Sequence, residues 1–328
     1  MSVIFSIIFS LLTVNASELD VLQYFPVQDG GRVKPFQTFA IESLELIYGR
    51  EAYKDLEGKK KSAAEIVFTW TFLGEHWNEI PLFELQYGEL KKALKLDEAK
   101  KYFSFAELLK NERLPALLQE LNIQIENKEK MDNFFQALQR LSNQLNLFSA
   151  IQKGLVPGFI PEEGGTSWKS IEKFNQEDAL QWQSVVGGFV KMVSGESGLK
   201  AAVDGFRSYA NYPAPEVAKI SSEVHYNNLK PFRWAWIFLV LSLLLYALYW
   251  ILKKPILFQS SMVLTIAGFF MTTYGFILRM YLTGRPPVSN MYESVVWVSW
   301  GALFFSLIFY FFKRRKFLFL AASLVSSI

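Results

Sequence analysis

The residues best suited to chemistry gather between two long apolar stretches, in the run Gly284-Arg-Pro-Pro-Val-Ser-Asn-Met-Tyr-Glu-Ser294. Pro286 and Pro287 stiffen the backbone there. Arg285, Asn290, Tyr292 and Glu293 crowd charged and hydrogen-bonding groups at the mouth of the apolar stretch that follows. A turn between two membrane helices needs only something polar and flexible, so this composition predicts a shaped site at a membrane surface. The guanidinium of Arg285 is suited to paired hydrogen bonds with a carboxylate. Asn290 and Glu293 have two roles open to them. They either shape the loop and contact a partner, or cap the next helix, whose first amides lack acceptors and whose N-terminus favours negative charge.

Several chemistries are excluded by what the chain lacks. It contains no cysteine, so disulfides, thiolate metal sites and dithiol redox chemistry cannot be built within it. Its only histidines are His76 and His225, too few for a site needing several imidazoles from one copy. The net charge of +3 is too small, and its basic residues too dispersed, for a nucleic-acid partner. No Gly-x-Ser-x-Gly nucleophile motif is present, which weighs against a hydrolase. The apolar stretches read as free of buried charge, which weighs against a solute transporter.

The elements that must position the loop are helical. Residues 1–16 form an apolar leader ending in Val14-Asn-Ala16, read as a cleaved signal peptide although no basic residue precedes it; an uncleaved membrane helix is the alternative. Residues 17–230 read as a mostly helical domain outside the membrane. There Phe134, Leu138, Leu141, Leu145 and Phe148 step by four and three onto one helix face. Shorter helical patterns cover 40–48, 63–73, 85–96 and 179–193, and strand alternation is hard to find. The Gly- and Pro-rich segment 154–168 is either a lid or a connector.

From Trp234 the chain changes solvent. Apolar spans are predicted at 234–252, 255–278 and 291–312, each long enough to cross about 30 Å of hydrocarbon. Lys253-Lys254 and the basic run 313–316 then share one face of the membrane, which the positive-inside rule makes cytoplasmic. The first domain and the 284–294 loop fall on the outer face. In the second span Ser261, Thr265, Gly268, Thr272 and Gly275 recur at four-and-three spacing, predicting a face of small residues packed inside a bundle. The apolar tail 317–328 makes only about 18 Å of helix. It is expected either to lie along the interface or to begin a fourth span of a longer polytopic protein. The expected fold is therefore mainly α, a helical domain followed by a polytopic bundle (231–328) of three full spans and a partial fourth.

The outer loop, followed by an aromatic span, resembles the early transmembrane part of CcsA/ResC-type cytochrome c assembly proteins, the haem-handling membrane components of system II. Asp29-Gly-Gly-Arg-Val-Lys-Pro-Phe-Gln-Thr-Phe-Ala40 is similar to the opening of the periplasmic domain in long members. Glu223-Val-His-Tyr-Asn-Asn-Leu-Lys-Pro-Phe232 is similar to their junction with the membrane, and Trp77-Asn-Glu-Ile-Pro-Leu82 is a weaker match. The resemblance implies a multi-pass protein of the bacterial inner membrane with a periplasmic N-terminal domain, passing haem to apocytochrome c for thioether formation. It implies a cofactor-binding set of Arg285, facing a haem propionate, with His225, Asn290, Tyr292 and Glu293, and no metal site of the chain's own.

The family's tryptophan-rich WWD loop and its flanking histidines are missing from this sequence. The chain is accordingly expected not to complete ligation alone but to need further CcsA-type spans or a CcsB-type membrane partner. A non-catalytic membrane-tethered adaptor of the same machinery is the alternative. His225 is as readily an ordinary hydrogen-bonding residue as an iron ligand. Trp297 and Trp300 lie deeper in the span and read as packing residues before any haem box.

Overall fold

The computed structural model describes residues 16–55, 58–128, 130–162, 164, 166–286, 288 and 291–313, excepting the side chains of residues 16, 17, 292, 311 and 313. The leader 1–15, the tail 317–328 and Asn290 lie outside these residues. The chain divides into two units, one running to Ser221 and one from Ser222.

In the first unit, α1 (Ala16–Gln23) leads into a hairpin of β1 (Pro26–Asp29) and β2 (Arg32–Pro35). Its turn is Gly30-Gly31, with φ of 58° and 76°. That double positive φ matches the twist of paired strands, and only a residue without Cβ adopts it freely. Next come α2 (Phe36–Tyr48), β3 (Ala52–Lys54), β4 (Lys60–Ser62), α3 (Ala63–Trp70) and α4 (Gly74–Trp77). β5 (Pro81–Glu84) is followed by α5 (Gly88–Ala93) and pairs with β6 (Tyr102–Ser104). Then follow α6 (Phe105–Leu109), α7 (Leu114–Glu126) and α8 (Asn133–Gln152). β7 (Gly158–Pro161) and β8 (Trp168–Ser170) complete an antiparallel sheet of order β2-β1-β7-β8. The unit closes with α9 (Gln176–Val193), α10 (Leu199–Ala210) and the single turn α11 (Ala214–Val217).

The mainly helical expectation holds, with two differences. The strands run only three or four residues, too short for an alternating pattern to register in the sequence. The segment 154–168 is neither lid nor plain connector: it carries β7 and leads into β8. Gly158 packs so tightly there that a Cβ would come 2.7 Å from the Trp168 carbonyl oxygen.

Aromatic rings fill the core. Phe25, Phe36, Phe68, Phe159, Trp182 and Phe206 are buried, and the Phe159 and Trp182 centroids lie 4.6 Å apart. The predicted α8 face is buried at Leu138, Leu141, Leu145 and Phe148, with Phe134 partly so. Charge is admitted at the edge of the core only with partners. Lys34 donates to Asp29 at 2.8 Å and Glu42 at 2.7 Å. Glu18 accepts from the amides of Gly198 and Leu199 at the start of α10.

Asp178 is 1% exposed and fully partnered. It accepts from the Tyr209 hydroxyl (2.7 Å), the Asn175 amide (3.1 Å) and Lys169 (3.4 Å), joining β8, α9 and α10. Burial pushes its pKa up, but these donors outweigh it and hold the carboxyl below the usual range.

In the second unit, α12 (Ile220–Leu229), which begins at the unit boundary, precedes three helices long and apolar enough to cross a membrane: α13 (Pro231–Leu252), α14 (Pro255–Thr283) and α15 (Met291–Lys313). They make this a multi-pass membrane protein. α13 and α14 form a tight antiparallel hairpin across Lys253-Lys254. Ala235, Leu239, Ser242 and Tyr246 of α13 face the small-residue stripe of α14, and all are buried. The Ser242 hydroxyl donates to the Ser261 carbonyl (2.8 Å) while the Ser261 hydroxyl donates to the Ser242 carbonyl (2.9 Å), a reciprocal pair. A Cβ on Gly268 would lie 2.9 Å from Leu239 Cγ, and one on Gly275 3.1 Å from Phe232 Cζ. The stripe is the surface that lets the two backbones approach.

Two outcomes test this packing. Gly268→Val should lower the midpoint of SDS-induced unfolding by the equivalent of about 1–3 kcal/mol, the usual cost of overpacking. Asp178→Ala should cost roughly 2–3 kcal/mol through loss of the side-chain acceptor that Asp178 gives the Asn175 amide in the α9 capping box and of the Tyr209 acceptor. Because the Asp178 pKa is depressed on folding, its contribution is present above the unfolded value of about 3.9 and disappears as pH falls through the folded one. The penalty of Asp178→Ala, read by thermal unfolding in detergent, should therefore shrink toward strongly acid pH.

Candidate functional site

The site builds outward from the end of the α14 stripe. The sequence predicted a span ending at Leu278, but α14 runs to Thr283, where Gly284 closes it in the left-handed conformation (φ 68°) and donates to the Met280 carbonyl. Arg279 is thereby placed inside the helix. It is the next member of the stripe, four residues beyond Gly275.

Its guanidinium grips Glu293, in the first turn of α15, through Nη2 at 2.6 Å and Nε at 2.7 Å, both to Oε1. Glu293 is 3% exposed. Tyr226 of α12 lies beside the same guanidinium. One expectation is corrected here: the spans do carry a charge pair, its carboxylate buried and its guanidinium partly so. Glu293 lies in the first turn of α15, where a helix favours negative charge, and is held there by Arg279. A carboxylate with no water to solvate it needs a cation, and Arg279 is the one within reach.

The other predicted residues are dispersed. Arg285 is exposed, and its side chain has no hydrogen-bond or ion-pair partner among the described residues. His225 is exposed on α12, with Nε2 3.0 Å from the Tyr274 hydroxyl. Tyr292 belongs to the first turn of α15, but its side chain, like the whole of Asn290, lies outside the described residues. His76 lies on α4, in the first unit. Of the set, the structure ties Glu293 into a network and leaves Arg285 and His225 apart from it.

Trp297 and Trp300 behave as packing residues. Their rings stack at 5.0 Å, Trp300 stacks on Phe304 at 5.5 Å, and the Trp300 indole donates to the Thr273 hydroxyl at 2.8 Å.

At this same end of the bundle a cleft of about 440 Å³ opens among α13, α14 and α15. Its walls include Phe232, Trp236, Leu239, Val295 and Trp300, and Arg233 stands in its lining, with no side-chain partner among the described residues. Sequence reading missed both Arg233 and Arg279. The signal for Arg279 was the continued four-and-three spacing. For Arg233 there was only its position beside the first span.

The cleft matches an amphiphile with a flat apolar body and an acidic end: aromatic walls for the first, a guanidinium for the second. Haem meets that description in shape and charge, but its iron is not provided for. None of the lining residues is a histidine, methionine or tyrosine, the iron donors this cysteine-free chain could offer, and the one histidine of this unit is engaged with Tyr274.

The ion pair is directly testable. Arg279→Ala leaves the Glu293 carboxylate buried without its cation and should destabilise the bundle by roughly 3–5 kcal/mol in SDS unfolding; Glu293→Ala leaves a guanidinium that still reaches solvent and should cost less. The exchanged double variant Arg279→Glu/Glu293→Arg should recover a substantial part of that loss. Single variants as stable as the parent would show the pair to be dispensable.

No protein-family model matches the chain, and no curated protein shows significant similarity to it.

Proposed function

We propose that this protein is a membrane component of cytochrome c assembly of the CcsA/ResC type, handling haem as cargo at the outer face of a bacterial inner membrane. The first unit and the 284–294 loop would lie in the periplasm, with Lys253 and Lys254 on the cytoplasmic side. The observation that carries the reading is the role of Glu293. The acidic residue that closes the family-like Gly-Arg-Pro-Pro-Val-Ser-Asn-Met-Tyr-Glu run is the buried partner of Arg279, so the run acts as a structural latch beside an aromatic, arginine-lined cleft. The order of the other resembling stretches along the chain supports it as well. Arg285 and Arg233 would meet acidic groups of the cargo, and the iron ligands would come from a partner.

A second reading, an adaptor that holds an assembly factor or apocytochrome without touching haem, is favoured by the lack of an iron donor in the cleft lining. Deleting the gene and staining membranes for covalently bound haem tests the shared core of both readings. Loss of membrane c-type cytochromes, restored by the intact chain, is expected; unchanged cytochromes would refute the assignment. Protein purified from haem-replete membranes separates the two readings. A Soret band weakened by Arg233→Ala supports haem handling, and its absence from a complementing protein supports the adaptor. Reporter fusions at Arg285 that are active in the cytoplasm would overturn the orientation.

A further inference from the structure

One face of α9 is turned outward along its whole length. Glu177, Leu180, Ser184, Gly187 and Lys191 follow one another along it at three-and-four spacing, and all are exposed. Leu180 is 57% exposed, and Val190, at the border of the face, 46%.

Gly187 is the informative residue, by contrast with its neighbour. A Cβ on Gly188 would stand 3.0 Å from the Leu199 Cα, so the fold of the unit itself excludes a side chain there. A Cβ on Gly187 would meet no atom within 4 Å. Glycine is the poorest helix former after proline, and here it occupies an exposed helix interior that does not need it. What it provides is a notch in the helix surface, between Ser184 and Val190, that another chain can approach closely.

The two charges of the face flank that notch and the Leu180 knob. Glu177 in the first turn and Lys191 in the last form no ion pair among the described residues. Glu177 precedes Leu180 by three residues, and Lys191 follows Gly187 by four. A second α9 laid antiparallel, with its Leu180 over Gly187, therefore brings its Glu177 beside Lys191. The two-fold axis of that arrangement passes between Gln183 and Ser184. Each contact is then made twice, knob into notch and carboxylate beside ammonium, the self-complementarity that a two-fold interface demands.

We infer that α9 is a contact between two copies of this chain, an antiparallel pair in which Leu180 of each fills the Gly187 notch of the other and Glu177 meets Lys191. At 1.5 Å per residue α9 is about 27 Å long. One helix face of that length falls short of the roughly 800 Å² per partner of a stable complex. The pair is accordingly weak and reversible, and it forms where a shared membrane concentrates the copies. The inference rests on α9 and is independent of the cytochrome reading.

The lack of cysteine makes the contact directly readable in the full chain. Ser184→Cys, beside the two-fold axis, should cross-link to itself when isolated membranes are oxidised, whereas Glu120→Cys, exposed on α7, should not. Chains carrying Glu177→Cys should cross-link to coexpressed chains carrying Lys191→Cys, and far less to their own kind. Gly187→Gln fills the notch with a better helix former. It should cut the yield of the Ser184→Cys dimer about tenfold, as overpacking a contact does, with a thermal unfolding midpoint no lower than the parent's. The inference is overturned if Ser184→Cys yields no more dimer than Glu120→Cys, or if Gly187→Gln leaves that yield unchanged. It is equally overturned if the Ser184→Cys adduct has the mass of this chain joined to a different protein, or if Glu177→Cys alone cross-links as well as the mixture.

Discussion

A charge inside hydrocarbon must bring its partner with it, and the contact between Arg279 and Glu293 is where this membrane unit meets that demand. Glu293 is buried and Arg279 partly so, and the 2.6 Å approach of guanidinium to carboxylate fixes the start of α15 against the end of α14. Arg279 follows the stripe of small residues along α14 at the same spacing. Ser261, Thr265, Gly268, Thr272 and Gly275 bring α13 close, and the reciprocal hydroxyl–carbonyl bonds of Ser242 and Ser261 satisfy the polar groups on that seam. Lipid gives helices no hydrophobic reason to associate. Packing and hydrogen bonds must therefore supply it, and here they act along a single face.

The first unit solves the opposite problem. It has water outside and a dense aromatic interior, so its polar groups become costly only when drawn inward. Asp178, Lys34 and Glu84 are each drawn inward and each supplied with two or more donors or acceptors. Asp178 has a depressed pKa for that reason, its donors outweighing a burial penalty of opposite sign.

Much of this was legible in the sequence, for identifiable reasons. Helices carry their pattern over many residues, so the α8 face and the α14 stripe could be read directly, as could the three spans. Strands of three or four residues carry too little pattern. Only the Gly30-Gly31 pair announced a hairpin, and its meaning lay in backbone geometry that the helical reading of the domain passed over. The site was half legible. The loop's density of polar groups pointed to the right end of the bundle, but the reading looked among loop residues for their partners. The partner of Glu293 was in the preceding helix, behind a boundary placed five residues too early. Hydropathy falls at Arg279, so composition marks an end there, whereas hydrogen bonding continues until Gly284 permits a left-handed residue.

That displaced boundary also bears on how the proposed function would operate. If Glu293 were a free loop carboxylate, it would repel the acidic groups of a haem-like cargo. Held by Arg279, it is neutralised locally and leaves Arg233 and Arg285 as the cations without partners among the described residues of this unit's end. The run of residues that resembles a haem-handling loop would then contribute less by touching cargo than by fixing α15 so that Val295 and Trp300 form a wall of the cleft. On this view the motif is a positioning element, its acidic residue pairing with the arginine that ends the preceding span. An anionic amphiphile, if bound as proposed, would meet the cations left over once that internal pairing is made.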